Sequence, residues 1–173
     1  MESRRLTSNP YVVSIAHTAP RLIAATLARL PTARVAAGFA AYLDRVYKAA
    51  RAGLIQLDGQ NIFLYQNVPG SDTEVDVAFG VGAVKPFNPD GDVTAVALPI
   101  GTVATTAHWG DYAGLANAHA AIIRWCREHG HRLAGTRWEI YGHWTEDVAQ
   151  RRTDVCYLLE SPADQNPSSP RAR

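Results

Sequence analysis

The sequence predicts an α+β domain built from two similar halves. Three observations predict it. Short β-rich runs alternate with two helical stripes, and the order strand–strand–helix–strand occurs twice. Each helix also stops at a glycine followed by a second glycine and an apolar strand ending in tyrosine. Gly53 and Gly59 precede Ile62-Phe63-Leu64-Tyr65, and Gly130 and Gly135 precede Trp138-Glu139-Ile140-Tyr141.

The elements follow in order. Residues 1–9 read as a loose leader. Tyr11-Val12-Val13-Ser14-Ile15 is β-rich after a proline and predicts a first strand; Leu22 to Leu27 predicts a second, weakened by its alanines. Pro31-Thr32 opens an alanine-rich helix to about Ala52, with Val35, Phe39, Tyr42, Leu43, Val46 and Ala50 at helical spacing. Asn61 to Asn67 reads as a strand, Pro69 to Asp72 as a turn, and Glu74 to Val81 alternates with period two. In the second half, strands fall at Val93–Leu98 and Thr102–Ala107, joined at Pro99-Ile100-Gly101. A helix then runs from Asp111, its cap, to about His129, with Tyr112, Leu115, His119, Ile122, Ile123 and Cys126 in one stripe. Strands at Trp138–Tyr141 and Val155–Leu159 close the domain. Residues 160–173 hold three prolines, three serines and no aromatic residue, a composition that predicts a flexible tail. The organisation is therefore a leader over 1–9, a domain over 10–159 with halves at about 10–82 and 83–159, and a tail over 160–173.

Composition narrows the function. A chain of 173 residues, 47% apolar and 19% charged, can bury a core without metal or disulfide support. The net charge of +1 supplies no field for nucleic acid or an anionic membrane, and only the ends, at Arg4-Arg5 and at Arg171 and Arg173, are locally basic. Direct nucleic-acid binding is not expected. Cys126 and Cys156 read as buried hydrophobes. No secretory signal and no membrane-length apolar stretch are present, so the expected location is the cytoplasm. Six histidines without HExxH or paired-cysteine spacing define no metal site; His129 and His131 read as a solvated helix cap. Gly80 and Gly82 begin no phosphate loop, and no cofactor is expected.

Glu139 is the unusual position, a carboxylate inside an aromatic strand. Strand alternation puts Glu139 and Tyr141 on one face and Trp138 and Ile140 on the other. By the repeat, Phe63 is the counterpart of Glu139 and Tyr65 that of Tyr141. If the strands are related by pseudo-symmetry, these four share a cleft between the halves, an aromatic box around one carboxylate. Such a box suits flat, hydrophobic molecules, cationic ones included. The alternative is a half-exposed glutamate on an edge strand.

The second half resembles a known family. Pro99 and Gly101, His108, Gly110, Tyr112, Trp125, Gly130, Gly135, Glu139 and Tyr141 stand where the GyrI-like (gyrase-inhibitor-like) effector-binding domains of multidrug-responsive transcription regulators carry their motif residues. Asp111 replaces the usual proline. The likeness is specific over 93–159 and fainter over 11–68, where Leu27-Ala28-Arg29-Leu30-Pro31 lacks both histidine and glycine. It implies the duplicated fold of regulatory-factor effector-binding domains: an antiparallel sheet, two main helices and a central ligand cleft. It also implies that Glu139 lies at the bottom of that cleft. Trp109, Tyr112 and Trp144 flank the cleft in sequence and join Glu139, Tyr141, Phe63 and Tyr65 as expected ligand contacts. His108 matches the motif but reads better as a strand-end histidine satisfied by backbone.

Three functions follow from the resemblance. The first is a stand-alone binder of planar hydrophobic compounds, since too few residues precede the first strand for a DNA-reading module. The second is a hydrolase of strained cyclopropane rings in alkylating compounds. There Glu139, its pKa raised by burial, would be a general base, and Tyr65 or Tyr141 would bond the carbonyl that receives electrons. The tryptophans Trp109, Trp138 and Trp144 lie near the proposed cleft in sequence. A gyrase-interacting role ranks last, with no surface to localise it and no protein partner identified.

Overall fold

The computed structural model describes residues 10–162. The expected leader and residues 163–173 of the expected tail lie outside the described residues.

The first half contains β1 (Ser14–His17), β2 (Leu22–Pro31), α1 (Val35–Arg51), β3 (Leu57–Asn67) and β4 (Glu74–Ala83). The second contains β5 (Val93–Ala97), β6 (Thr102–Trp109), α2 (Leu115–Glu128), β7 (Leu133–Tyr141) and β8 (Arg152–Leu159). The eight strands among the described residues join one sheet in the order β1-β6-β8-β7-β3-β4-β2-β5, and each of these pairings is antiparallel. Read from either end, that order is the same once the halves are exchanged. The sheet is therefore pseudo-twofold, with β3 and β7 paired at its centre. The outermost strands are swapped: β1 of the first half pairs with β6, and β5 of the second pairs with β2.

Both helices lie on one face of the sheet. Leu43, Val46 and Ala49 of α1 pack on Phe63, Val77, Phe79 and Val81, while Ala118, Ile122 and Cys126 of α2 pack on Ala104, Val155 and Tyr157. Among the described residues the opposite face carries no helix, yet Ile23 and Ile62 are wholly buried there and Trp138 nearly so. Such burial requires the sheet to curl around this face, which Leu98, Val103 and Cys156 help to fill. Removing so large a side chain as Trp138 from water favours the fold by about 1.5–3 kcal/mol.

The expected first strand at Tyr11–Ile15 is displaced to Ser14–His17. Tyr11 and Val13 pack as side chains beside α2, and the Thr106 hydroxyl donates to the Val12 carbonyl at 2.7 Å, taking an acceptor the ladder would need. β3 and β7 both begin earlier than the sequence suggests, because each continues through a bulge. Gly59 and Gly135 adopt φ of +83° and +87° where the register shifts, a conformation that costs glycine least. β8 likewise starts at Arg152. The Asp111 carboxylate accepts from the Ala113 amide at 2.8 Å in the short 3-10 turn that opens α2, so the expected cap is present. Gly80 and Gly82 are inner residues of β4, and a Cβ on Gly80 would meet Ile23 Cδ1 at 2.7 Å. Among the described residues no helix is long and apolar enough to cross a membrane.

Candidate functional site

The space between α1 and α2, floored by β3 and β7, is a cavity of about 1030 Å³. Its floor follows from strand alternation: Phe63 and Tyr65 of β3, and Arg137, Glu139 and Tyr141 of β7, all point to the helix side. Phe63 and Glu139 are directly paired, so the pseudo-twofold axis passes between them. Tyr65 and Tyr141 stand two residues beyond each and converge on the carboxylate.

Glu139 is 5% exposed. Its Oε2 accepts from the Tyr65 hydroxyl at 2.8 Å and from the Tyr141 hydroxyl at 2.5 Å. Its Oε1 accepts from Nε2 of His119, on α2, at 2.7 Å, and His119 Nδ1 meets the Tyr157 hydroxyl of β8 at 2.8 Å. Three donors, from β3, β7 and α2, thus hold one carboxylate, and Tyr157 of β8 steadies the third. Burial pushes the Glu139 carboxyl up. The bond and charge of His119, with the bonds from Tyr141 and Tyr65, outweigh it and hold the group below the ordinary carboxylate range. This reverses the sequence expectation of a carboxyl raised by burial, chiefly because the His119 contact from α2 was not visible from spacing. The same burial, together with the Glu139 charge, pushes the Tyr65 and Tyr141 phenols well above their usual range, so both stay protonated donors. Tyr157 is pushed up to about 12, chiefly by burial.

The two lobes of the cavity differ. Phe39 and His119 are each the fifth residue of their helix, and so take related places. Phe39 lies over Phe63 with ring centres 5.6 Å apart, where His119 binds Glu139. In the first lobe Val35, Phe39, Phe63 and Val75 form an apolar wall beside the uncharged Thr32, Tyr47, Asn61 and Asn67, while the second, polar lobe carries the His119, Glu139 and Tyr157 chain. Arg137 lies with its guanidinium 4.9 Å from the centre of the Tyr65 ring and reaches toward Asn67.

Of the residues singled out in the sequence, Phe63, Tyr65, Glu139 and Tyr141 come together on the floor, while Tyr112 and Trp144 stand on the rim. Arg151 lies over both rim rings, 5.8 Å from Tyr112 and 5.3 Å from Trp144. Trp109 is a correction. It does not line the cavity but stands 56% exposed at the end of β6, with the Arg152 guanidinium over its ring. Trp138 points to the opposite, curled face, so neither tryptophan can wall a ligand in this cleft. His108 is buried as a structural group: its Nε2 donates to the Asp111 carbonyl at 2.8 Å, and Nδ1 meets the Tyr11 hydroxyl. His119 and Tyr157 were not singled out. The signal for His119 was its place in an otherwise largely apolar helical stripe; Tyr157 shares the period-two phase of Val155 and Leu159.

The family model for the GyrI-like small molecule binding domain matches residues 12–159. No curated protein matches the chain. Among solved structures, EcmrR in complex with DNA shares 17% identity at a TM-score of 0.72, over 87% of this chain and 57% of that one. The chain thus spans little more than half the length of EcmrR, and 98% of the isolated EcmrR C-terminal domain. SAV2435 bound to tetraphenylphosphonium shares 9% identity over 90% of this chain and 98% of that one, at a TM-score of 0.63. A hydrolase encoded by lin2189 from Listeria innocua shares 10% identity over 86% and 91%, at 0.52. At these identities the likenesses show the fold.

Proposed function

The chain belongs to the GyrI-like family of small-molecule-binding domains, and from that premise we propose that its ligands are flat or propeller-shaped hydrophobic cations. One observation carries the reading: a carboxylate held ionised on the aromatic floor of a large cavity. A charge of opposite sign 4 Å away gains about 4 kcal/mol at an effective dielectric near 20, before desolvation is subtracted. Ring faces add about 0.5–2 kcal/mol for a cation. Compact ammonium ions are strongly hydrated and lose more on entry, so the arrangement favours charge spread over aromatic groups. Phe63, Tyr65, Glu139 and Tyr141 form the floor of this proposed site, and Tyr112 and Trp144 its entrance.

A ring-opening hydrolase would need Glu139 to accept a proton from water. Both carboxylate oxygens already accept bonds, and the depressed pKa makes the group a weak base, so binding is the better-supported role. Calorimetric titration with tetraphenylphosphonium, and with neutral triphenylphosphine oxide for comparison, tests this. The cation should bind the wild type at least about ten-fold more tightly than it binds Glu139→Gln, while the neutral compound distinguishes them little. Equal affinity of both proteins for the cation would remove the proposal. A strained-ring compound recovered with one added water, in a manner abolished by Glu139→Gln, would replace it with hydrolysis.

A further inference from the structure

The polar lobe holds a second ionisable group that cation binding alone does not require. His119 faces Glu139 with one ring nitrogen and Tyr157 with the other, at 2.7 and 2.8 Å. A phenol hydroxyl can donate or accept. His119 can therefore be imidazolium, donating from both nitrogens, or imidazole, donating to Glu139 and accepting from a Tyr157 hydroxyl that has turned its hydrogen toward Nδ1, with no heavy atom moving. The related place in the first lobe is filled by Phe39, so this is a property of one lobe and not of the repeated framework.

We propose that His119 sets the charge preference of the cavity, holding a proton that compensates Glu139 in the empty site and releasing it to solvent when a cationic ligand arrives. The inference rests on the cation-binding reading above. A ligand cation placed against Glu139 also lies close to His119, since the two side chains touch. Like charges in one desolvated site disfavour each other, and the imidazolium is the one that can lose its charge. A neutral ligand exerts no such pressure and leaves the proton in place.

The groups around His119 limit the alternatives. β7 contributes Glu139, Tyr141 and Arg137, β3 contributes Tyr65, β8 contributes Tyr157, and the loop after β7 contributes His143 to the cavity wall. Within α2, Cys126 is buried near Tyr157 with its thiol pushed up by burial. The tyrosines are held protonated and Glu139 ionised, so the histidines are the residues of a type that changes charge near neutrality.

Calorimetry of the full chain with tetraphenylphosphonium near pH 6.5, in phosphate and in bis-tris, counts the protons exchanged. Release is expected with the cation and none with triphenylphosphine oxide. Affinity for the cation should rise with pH by up to about ten-fold per unit while the free protein holds the proton, then level off. His119→Gln keeps a donor to Glu139, and its affinity should be independent of pH and higher than wild type near pH 6. Cation binding with no proton release, or a pH dependence that survives in His119→Gln, overturns the inference and leaves cation binding standing. Failure of the cation to bind wild type at any pH removes both. If His119→Gln does not fold, the His119 ring signals in wild type decide by NMR. Saturating tetraphenylphosphonium should lower their titration midpoint by about one pH unit or more, and an unmoved midpoint overturns the proposal.

Discussion

A buried carboxylate would destabilise most cores; here Glu139 is tolerated because three donors meet it. Its stability contribution can be read from pH. The folded-state pKa lies below the ordinary 4.5, so the group favours folding above that value, and the contribution is lost as pH falls through the lower folded value. Denaturant unfolding of wild type should therefore weaken below about pH 4.5, and Glu139→Gln should show a shallower acid decline over the same interval. Tyr141→Phe removes the shortest of the three bonds and should cost about 1.5–3 kcal/mol at pH 7, measured the same way; a loss under 0.5 kcal/mol would mean that the bond is not stabilising. Alternation made part of this site legible, since it put Glu139 and Tyr141 on one face. The His119 donor from α2, and Tyr157 of β8 behind it, were not legible, because contacts between distant elements leave no spacing in the chain. Trp109 shows the reverse: closeness in sequence to the motif did not bring it to the cavity, because along β6 it shares the period-two phase of Val103, which faces away from the helices, and not that of Ala104.

Among the elements, the helices and most strands were set by pattern, and the glycine pairs were the informative punctuation. Gly53 and Gly130 end the helices at φ of +78° and +73°, as their positions suggested. The role of Gly59 and Gly135 was not evident from the letters, because a bulge needs both a positive φ and a partner strand. Nothing blocks a methyl group at Gly59, and at Gly135 the nearest atom is 3.6 Å away, so the cost of alanine there is one of backbone conformation. Gly135→Ala should lower stability by about 1–2 kcal/mol, seen as a lower denaturation midpoint with an unchanged slope. At Gly80 the cost of alanine has a different origin, contact with Ile23, and a compensating Ile23→Val change should recover part of it; the pair measured as a double-mutant cycle would separate the two causes. The displaced first strand has a similar lesson. Tyr11 to Val13 have strand composition, but a side-chain bond from Thr106 and packing beside α2 take them out of the ladder.

For the whole molecule, the repeat in the sequence announced the duplication but not the exchange of edge strands. Since β5 completes the first half's sheet and β1 completes the second's, neither half carries its own outermost strand. Residues 10–83 produced alone should give no dispersed amide spectrum, and mixing them with 84–162 should restore one; independent folding of either piece would show that the edges are dispensable. The duplication has one more consequence, drawn from Phe39 and His119 standing in equivalent places. A framework with twofold regularity would greet both ends of a guest alike. Because one wall is benzene-like and the other an acid–imidazole pair, the cavity has a direction: a guest with unlike ends has one favoured way to lie, and a guest with identical ends leaves one wall unanswered.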